Sequence, residues 1–548
     1  FSGGFMSIAT LIVWILGVAG VGATGYIIWS YAKGLKESPK DMWVLFFYMV
    51  IQYVAYAAMN PIITLWLSKD CGLGDIAAGN FIMIWSILLS MVGMVAGALV
   101  DTIGIRRTMI FSVIFLFIAR FFMSFITNPV IVFVVGFLPF AIGFAIVSPV
   151  VSVSIKRYTT KEGAALGFGL FYVIMNLAYA IGGWLMDFVR DKYALRDAAG
   201  KIINENAGME LLGIHFSTYQ LIYVYALAMT VVSAFFIFFI RDGVEILEET
   251  DDEGKKSVKT IIKPVEHHGS GLAAVKGAYL SMFAKIKSAV VEKYFWMFIA
   301  ILTTTLFVRF IFFHLHYTFP KYGIRVLGEG AKIGNIYGVL NPVLIVFLVP
   351  IVASFTKKTK SYTMLVIGSA ISSLSCFLAI IPGKVFEGLT NTVLGEIIFI
   401  KWLGMADTME KLMENPPVPE YWSLIFFFLI FTIGEAIWSP RLMQFTAEIA
   451  PKGKEGTYIA LSILPFFLAK FVVGPMSGLL VNAYTPVVDK IDPATGQVML
   501  DAAGKAMQVV GDISNHYMVW IWIGGMALVT PIGLLLFKKV FTKNIEGA

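Results

Sequence analysis

The sequence predicts an all-α membrane protein in which one extra N-terminal transmembrane helix precedes two six-helix bundles. Three observations predict this fold class. Hydrophobic residues make up 58% of the 548 residues and charged residues only 14%, apolar runs of helix length recur along the chain, and segments of the first half return in the second. The mean hydropathy of +0.81 means more apolar surface than a water-soluble core could bury, so a lipid bilayer is the expected solvent.

Thirteen apolar runs predict thirteen transmembrane helices, because backbone groups in lipid must find hydrogen-bond partners within their own segment. The runs lie at about 5–31, 42–68, 76–100, 107–126, 130–154, 164–188, 217–240, 294–318, 331–355, 362–381, 421–447, 456–483 and 516–537. The first run is too long for a signal peptide and lacks a basic start and a cleavage site, so we expect it to be retained.

The basic residues predict the orientation of these helices. One set of alternate loops, with the C-terminal tail, holds 25 of the 42 Lys and Arg residues, and the other set holds 13. Because cytoplasmic loops are enriched in Lys and Arg, the C-terminus is expected in the cytoplasm and the protein in the plasma (inner) membrane. The net charge of +7 is spread over these loops and does not indicate nucleic-acid binding.

Several other functional classes find no support in the sequence. Cys71 is expected in an outer loop and Cys376 within a helix, so a disulfide between them is not expected. No glycine-rich phosphate loop, zinc-ligand spacing or nucleophile with a base is present. The sequence therefore predicts neither an enzyme nor a cofactor or metal. His314 and His316 lie at an outer helix end, where a gating or surface role is expected.

A hydrophilic stretch divides the chain into domains. The predicted domains are residues 1–41 (extra helix), 42–240 (first bundle), 241–293 (cytoplasmic linker) and 294–548 (second bundle). The linker is acidic at first and then spaces apolar residues as one face of a helix between lysines. This pattern predicts a basic amphipathic helix on the inner leaflet, with a solvated linker helix as the alternative.

Repeated segments indicate that the two bundles arose by duplication. IGFAIVSP at 142–149 returns as IGEAIWSP at 433–440, and KEG and DAAGK also recur at matching places. The symmetry breaks where Phe144 in the first copy is Glu435 in the second. This exchange places a carboxylate near the middle of an apolar helix. It marks Glu435 as the best candidate to bind solute and couple proton movement, although a glutamate that only ties two helices together remains the alternative.

The segment from Gly97 to Arg107 reads GALVDTIGIRR. A Gly, an Asp four residues later, a second Gly and paired basic residues resemble the signature loop of the major facilitator superfamily. The resemblance implies a major facilitator fold and a gating loop formed by Gly97, Asp101, Gly104, Arg106 and Arg107, a latch for the outward-open state. The alternative is that its charges only set topology.

Further motifs resemble the proton-coupled oligopeptide transporter family within that superfamily. They are FGLFYVIMNLAYAIGG at 168–183, LNP at 340–342, TIGEAIWSP at 432–440 and AYAAMNPIITLWLSKDCGLGD at 55–75. The resemblance implies that Glu435 meets a substrate amino group, that Asn341 and Asn176 bind the substrate backbone, and that Tyr56 lines the cavity. Neighbouring residues are further candidates for the site: Gln52, Tyr53, Tyr172, Tyr179 and Trp438.

The sequence departs from this family where a peptide carboxylate would be held. The family's first-helix charges should fall near Met49, Gln52 and Tyr53, and its fourth-helix lysine near Ser148, but all four residues are neutral. Ordinary di- and tripeptide transport is therefore not expected to carry over unchanged.

Three basic residues are predicted inside helices, where a charge costs roughly 2.5 to 3.5 kcal/mol at mid-membrane. Lys470 is expected to replace the missing cation, either as a partner of Glu435 or as a carboxylate binder. Arg120 and Arg309 lie nearer the outer ends, where they could serve the site or snorkel to the interface.

The sequence as a whole predicts a secondary active transporter for a small polar, amino-bearing solute, driven by protons. A lipid or drug exporter is an alternative within transport. The first helix repeats small residues at four-residue spacing (Ala19 with Ala23), a face that allows close packing against the core or a membrane partner. That helix supports a hypothesis of another class, a transporter-derived scaffold or sensor.

Overall fold

Helices occupy all thirteen apolar runs wherever the structure describes them. The structure is a computed structural model, and it describes residues 7–160, 162–250, 256–263, 271–291, 293–356, 358–449, 464–499 and 506–542. Within these ranges, twelve helices are long and apolar enough to cross a membrane, and a shorter apolar helix accounts for the remaining run. The prediction of an all-α membrane protein with about thirteen spans is confirmed.

The spanning helices are numbered here in chain order. The extra helix is α1 (Ile8–Gly34), and the first bundle contains α2 (Lys40–Met59), α3 (Asp75–Ile103), α4 (Ile105–Phe125), α5 (Pro129–Tyr158), α6 (Gly163–Lys192) and α7 (Thr218–Ile237). The second bundle contains α8 (Lys293–Tyr317), α9 (Gly334–Phe355), α10 (Ser361–Ile380), α11 (Glu420–Ile449), α12 (Leu464–Tyr484) and α13 (Met518–Leu536).

Short strands pair only with their neighbours in sequence, as four antiparallel two-stranded hairpins. They are β1 (Leu195–Arg196) with β2 (Ile202–Asn204), β3 (Met209–Leu211) with β4 (Ile214–Phe216), β5 (Val244–Thr250) with β6 (Lys256–Ile262), and β7 (Val487–Asp489) with β8 (Gln508–Val510). We call the end of the molecule that carries residues 193–217 and 485–517 the hairpin end, and the opposite end, with residues 238–292, the linker end.

The two bundles meet along two seams where glycines allow the helix backbones to touch. In the α3–α12 seam, a Cβ added to Gly79 would lie 2.4 Å from the carbonyl oxygen of Gly474. In the α6–α9 seam, a Cβ added to Gly183 would lie 2.8 Å from the Cα of Gly338. Small residues at such contacts let helices pack by their main chains, and both seams lie in the half of the molecule nearer the hairpin end.

The linker contains a strand pair that was not predicted. Its acidic first part forms the β5–β6 hairpin, and its last part forms the linker helix (Gly271–Val290). Leu280 and Phe283 of this helix are exposed, while the Tyr279 hydroxyl donates a hydrogen bond of 2.9 Å to the Met91 carbonyl of α3. The exposed apolar face fits the prediction of a membrane-surface helix.

Helix α1 joins the rest of the molecule near its two ends. The Ser7 hydroxyl donates a 2.6 Å hydrogen bond to the Glu396 carboxylate, and Tyr31 contacts Gly169 of α6 at the other end. No atom lies within 4 Å of a Cβ added at Gly17, Gly20, Gly22 or Gly25. The expectation that the small residues allow close packing against the core is therefore wrong for these glycines, because this part of α1 faces open space.

Candidate substrate-binding site

A cavity of about 270 Å³ lies between the two bundles. Helices α2, α6, α8, α9 and α11 surround it, so both halves of the chain contribute to its wall. Its lining consists of Tyr56, Ala57, Asn60, Pro61, Tyr172, Met175, Asn176, Tyr179, Phe312, His316, Tyr337, Gly338, Asn341, Pro342, Glu435 and Ser439. The sequence predicted six of these as site residues: Glu435, Asn341, Asn176, Tyr56, Tyr172 and Tyr179.

Glu435 stands at the middle of α11 and points into the cavity. Its side chain is buried, and its Oε2 accepts a 2.7 Å hydrogen bond from the Asn341 amide nitrogen. The same nitrogen donates to the Thr432 hydroxyl at 3.0 Å, so the amide holds the carboxylate and the preceding turn of α11 together. Glu435 thus links α11 to α9, the structural role that the sequence offered as an alternative. Its carboxylate also lies on the cavity wall.

A π-helical turn precedes Asn341 on α9. The turn covers Gly334–Val339, and the α-helical hydrogen bonding resumes at Leu340. Such π turns widen a helix by one residue and are frequent at functional sites. Here the turn sets the rotation of α9 that brings Tyr337, Gly338 and Asn341 to the same cavity.

The first bundle supplies mainly tyrosines to the wall. The Tyr56 ring stacks on Phe144, with the ring centroids 3.9 Å apart and the planes 8° apart. Across from it, the Asn176 amide nitrogen donates to the Tyr172 carbonyl at 2.8 Å. Phe144 and Glu435, which occupy the same position in the two repeats, therefore both contribute to the cavity. Phe144 packs behind the Tyr56 ring, and Glu435 supplies the carboxylate on the wall.

His316 is a cavity residue that sequence reasoning missed. It lies one helical turn after Phe312 on α8, and both residues line the cavity. Its Nδ1 lies 2.7 Å from the Phe312 carbonyl oxygen and its Nε2 2.9 Å from the Tyr337 hydroxyl. A surface role is wrong for His316, because its side chain lines the cavity and a further helix (Phe319–Leu327) follows α8. His314 is also buried and bonds to Thr318.

Gln52 and Tyr53 lie behind the cavity wall, although the sequence placed them in the site. Gln52 is fully buried; it donates to the Ser233 hydroxyl at 2.6 Å and accepts from Arg120 at 2.8 Å. Tyr53 packs edge-on against Phe144. Both residues face the interior of the first bundle because α2 turns only one side to the other bundle.

Arg120 does not snorkel to the interface, because its side chain is fully buried inside the first bundle. Besides Gln52, its guanidinium donates to the Thr230 hydroxyl at 2.5 Å and lies 6.0 Å from the Phe140 ring centroid. This network binds α2, α4 and α7 together by neutral partners.

Lys470 does not lie on the cavity wall in the described part of the chain. Its ammonium group donates to the Ser86 carbonyl at 2.8 Å and to the Ser90 hydroxyl. These contacts tie α12 to α3 across the bundle interface. The prediction that Lys470 pairs with Glu435 is therefore wrong in this conformation.

Arg309 and Trp438 stand next to the site without lining it. The Arg309 guanidinium lies 5.4 Å from the Trp438 ring centroid and is close enough to interact electrostatically with Glu435. The Trp438 indole donates to the Ser372 hydroxyl at 3.1 Å. Neither residue is among those that line the cavity, so a direct contact of either with a solute stays a prediction.

The predicted gating loop is mostly helical. Helix α3 continues through Ile103, and α4 begins at Ile105, so only Gly104 separates them. Gly104 has φ 86°, a left-handed conformation that favours glycine. The turn therefore falls at Gly104. Arg106 and Arg107 occupy the first turn of α4 at the linker end. Gly97 and Asp101 lie on α3, and the Asp101 side chain is outside the described part of the structure.

Two clusters of charged groups connect the bundles at the hairpin end. In the first, Asp75 of α3 accepts from Lys321 at 2.8 Å and from Arg325 at 2.8 Å, and both donors follow α8. Burial lowers the pKa of Lys321 to about 8, although the Asp75 carboxylate favours its charged form.

The second cluster centres on Asp187 of α6. Its carboxylate accepts from the backbone nitrogens of Gly334 at 3.0 Å and Asn335 at 2.7 Å, at the start of α9. Arg190 pairs with Asp187 and with Glu205 of the hairpin segment. Burial raises the pKa of Glu205, but Arg190, Lys69 and the Tyr219 hydroxyl together lower it to about 2. Both clusters close the hairpin end in this conformation.

A sequence model of the Major Facilitator Superfamily matches residues 45–475. The chain therefore belongs to the major facilitator superfamily, whose fold the two bundles and their central cavity show. The match runs from α2 into α12 and includes neither α1 nor α13. No sequence in a search of curated proteins matched the chain.

Solved structures of peptide transporters share this fold. A peptide transporter POT in complex with sulfate is 16% identical, has a TM-score of 0.60, and aligns over 93% of this chain and 96% of its own. A POT family transporter in complex with 5-aminolevulinic acid is 14% identical, with a TM-score of 0.60 and coverage of 92% and 97%. Another, in complex with a thioalcohol-conjugated peptide, is 15% identical, with a TM-score of 0.59 and coverage of 93% and 100%.

Proposed function

We propose that this protein is a secondary active transporter that moves a small polar, amino-bearing solute, peptide-like or amino-acid-like, by alternating access with coupling to protons. The observation that carries the proposal is the Glu435 carboxylate, held by Asn341 on the wall of a cavity that both bundles share. Cavities at the interface of duplicated halves are where transporters of this architecture bind their substrates.

Alternating access is supported by how the two bundles meet. The hairpin end is closed by the Asp75 and Asp187 clusters and by the two glycine seams. Opening this end requires the breaking of contacts between bundles, whereas each bundle can keep its own core. Rigid-body rocking around a fixed site follows from such an arrangement.

Proton coupling is supported by the single carboxylate on the wall. A carboxylate can hold a proton or face a cationic solute, so the two occupants are linked through one charge. A change of one elementary charge on crossing is worth about 2.3 kcal/mol per 100 mV, which is enough to drive accumulation of a solute.

Uptake into proteoliposomes tests this function. We expect a dipeptide and amino-acid panel to contain a solute whose uptake rises with an imposed pH gradient and is lost in Glu435→Gln, because the amide cannot carry the proton. Glu420→Gln, at the start of the same helix α11, is the matched control and should retain uptake. Equal uptake by both variants would remove Glu435 from the mechanism.

Orientation is proposed from the charge of the loops. The linker end, with the C-terminus, is proposed to face the cytoplasm of a cell whose plasma membrane holds the protein. Lys201 is exposed at the hairpin end, which this orientation places outside the cell. In a variant with Cys71 and Cys376 replaced by serine, Lys201→Cys should therefore react with a membrane-impermeant thiol reagent in whole cells.

A membrane scaffold or sensor is the second candidate function. It is favoured by α1, whose central glycines face open space instead of the core. Purification of the full chain with a stoichiometric membrane protein, lost when Gly17, Gly20, Gly22 and Gly25 are replaced by leucine, would support this candidate. Solute uptake that needs Glu435 would favour transport instead.

A further inference from the structure

The charges that face the cavity are unbalanced. Among the described residues that line it, Glu435 is the one carboxylate, and none is Lys or Arg. The buried cations nearby are committed elsewhere: Arg120 to Gln52 and Thr230, and Lys470 to Ser86 and Ser90. Arg309, beside the Trp438 ring, interacts electrostatically with Glu435 but does not line the cavity. A solute carboxylate would find no Lys or Arg on the described wall, and burial of an unpaired charge is costly.

Aromatic side chains form a large part of the remaining wall. Four tyrosines and one phenylalanine line the same cavity as Glu435, namely Tyr56, Tyr172, Tyr179, Tyr337 and Phe312. The faces of aromatic rings attract cations, by about 0.5 to 2 kcal/mol for each well-placed ring, and cages of such rings recognise substituted ammonium groups. A carboxylate on a cavity wall that also carries several aromatic rings is complementary to an organic cation.

The size of the cavity limits the body of the solute. The volume of about 270 Å³ lies near the lower end of the range for small-molecule sites, which is about 300 to 1,000 Å³. A solute with a compact body suits this space better than a long polyamine.

We propose that the cavity binds a small organic cation without a carboxylate, an amine with a compact apolar body, in preference to a zwitterionic peptide or amino acid. This proposal rests on the proposed transport function. It keeps the amino-bearing solute of that function but replaces the peptide-like or amino-acid-like body with one that has no carboxylate. The ammonium group lies against Glu435 and the aromatic faces, and the neutral first-bundle wall receives the apolar body.

Three probes that differ by one group test the proposal on the full purified chain. They are 2-phenylethylamine, L-phenylalanine, which adds a carboxylate, and 2-phenylethanol, which replaces the ammonium group. Isothermal titration calorimetry should show the amine binding at least about tenfold more tightly than either of the other two. L-phenylalanine or dialanine binding as tightly as the amine would overturn the proposal.

Variants locate the binding to this cavity. Glu435→Gln should weaken amine binding by about tenfold or more, whereas Glu420→Gln should leave it unchanged. Tyr56→Leu should weaken it about threefold to tenfold and Tyr56→Phe much less, because phenylalanine keeps the ring. Unchanged amine binding in both Glu435→Gln and Tyr56→Leu would place the amine elsewhere and overturn the proposal.

Uptake measurements separate this proposal from the function on which it rests. Proton-driven uptake of dialanine that needs Glu435, with no preference for the amine in binding, would overturn the substrate class and leave transport intact. Tight, Glu435-dependent amine binding without uptake of any probe would support the binding site and overturn transport.

Discussion

At the scale of single residues, the His316–Tyr337 pair shows how the cavity orders its polar groups. A carbonyl oxygen only accepts hydrogen bonds, so His316 Nδ1 carries the proton that bonds to Phe312, and Nε2 accepts from the Tyr337 hydroxyl. Protonation of Nε2 would turn this nitrogen into a donor, so the Tyr337 hydroxyl would accept from it and donate its own O–H to another partner. The direction of the Tyr337 O–H in the cavity therefore depends on the charge of His316.

Replacement of His316 tests this pairing through stability. His316→Phe leaves the Tyr337 hydroxyl buried without its acceptor, which should lower the free energy of unfolding by about 1–3 kcal/mol. His316→Gln keeps an acceptor and should cost less. Thermal unfolding in detergent measures both, and adding Tyr337→Phe to His316→Phe should recover part of the loss. Equal stability of the Phe and Gln variants would contradict the assignment.

How far the sequence predicts the site depends on what kind of signal each residue leaves. Glu435 was found because a carboxylate breaks an internal repeat, and Asn341 and Asn176 because they lie in motifs that resemble a family. Gln52, Tyr53 and Lys470 were placed on the wall from position along a helix alone. Which face of a helix meets the partner bundle depends on packing that no local pattern records, and for the same reason His316 was missed.

At the scale of elements, the sequence predicted the helices but not the connections between them. A run of about 20 apolar residues has few alternatives to a helix in lipid. The β5–β6 hairpin of the linker carries no such constraint, and the signature loop was read as a loop although α3 extends through Ile103. The turn at Gly104 is set by one residue with positive φ, which is a weaker signal than a hydrophobic run.

The α6–α9 seam gives a prediction about conformation. Gly183→Ala places a methyl carbon 2.8 Å from the backbone of Gly338, closer than side-chain carbons normally approach, so the hairpin end should open. Double electron–electron resonance between labels at Lys201→Cys and Lys384→Cys, with Cys71 and Cys376 replaced by serine, should give a longer mean distance. Gly22→Ala in α1, where the added atom meets open space, is the control. An unchanged distance in Gly183→Ala would show that the seam does not set closure.

At the scale of the whole molecule, the charged clusters make closure of the hairpin end depend on pH. The pKa of Lys321 is lowered to about 8 in this closed conformation, and we expect a value nearer the ordinary pKa of about 10.4 when opening solvates the side chain. The closed form thus binds fewer protons, so a rise in pH above 8 should favour it, by at most about 1.4 kcal/mol per pH unit.

The same label pair measures this dependence. The closed population should grow between about pH 8 and pH 10, and Lys321→Met should abolish the growth because no group titrates there. Glu205 does not contribute to the pH dependence between pH 8 and pH 10, because its pKa of about 2 keeps it ionised there. Its stabilising effect on the closed form is lost only at acidic pH, as the pH falls toward that value. An identical pH response in Lys321→Met would assign the dependence to another group.

The glycine seams bear on how fast the transporter can cycle. Main chain meets main chain there, so separating the bundles frees few side chains to adopt new rotamers, and bringing them back immobilises few. In the proposed cycle, reclosure then carries a small entropic penalty per event, and we expect the pace to depend on how quickly Asp75 and Asp187 exchange their partners for water.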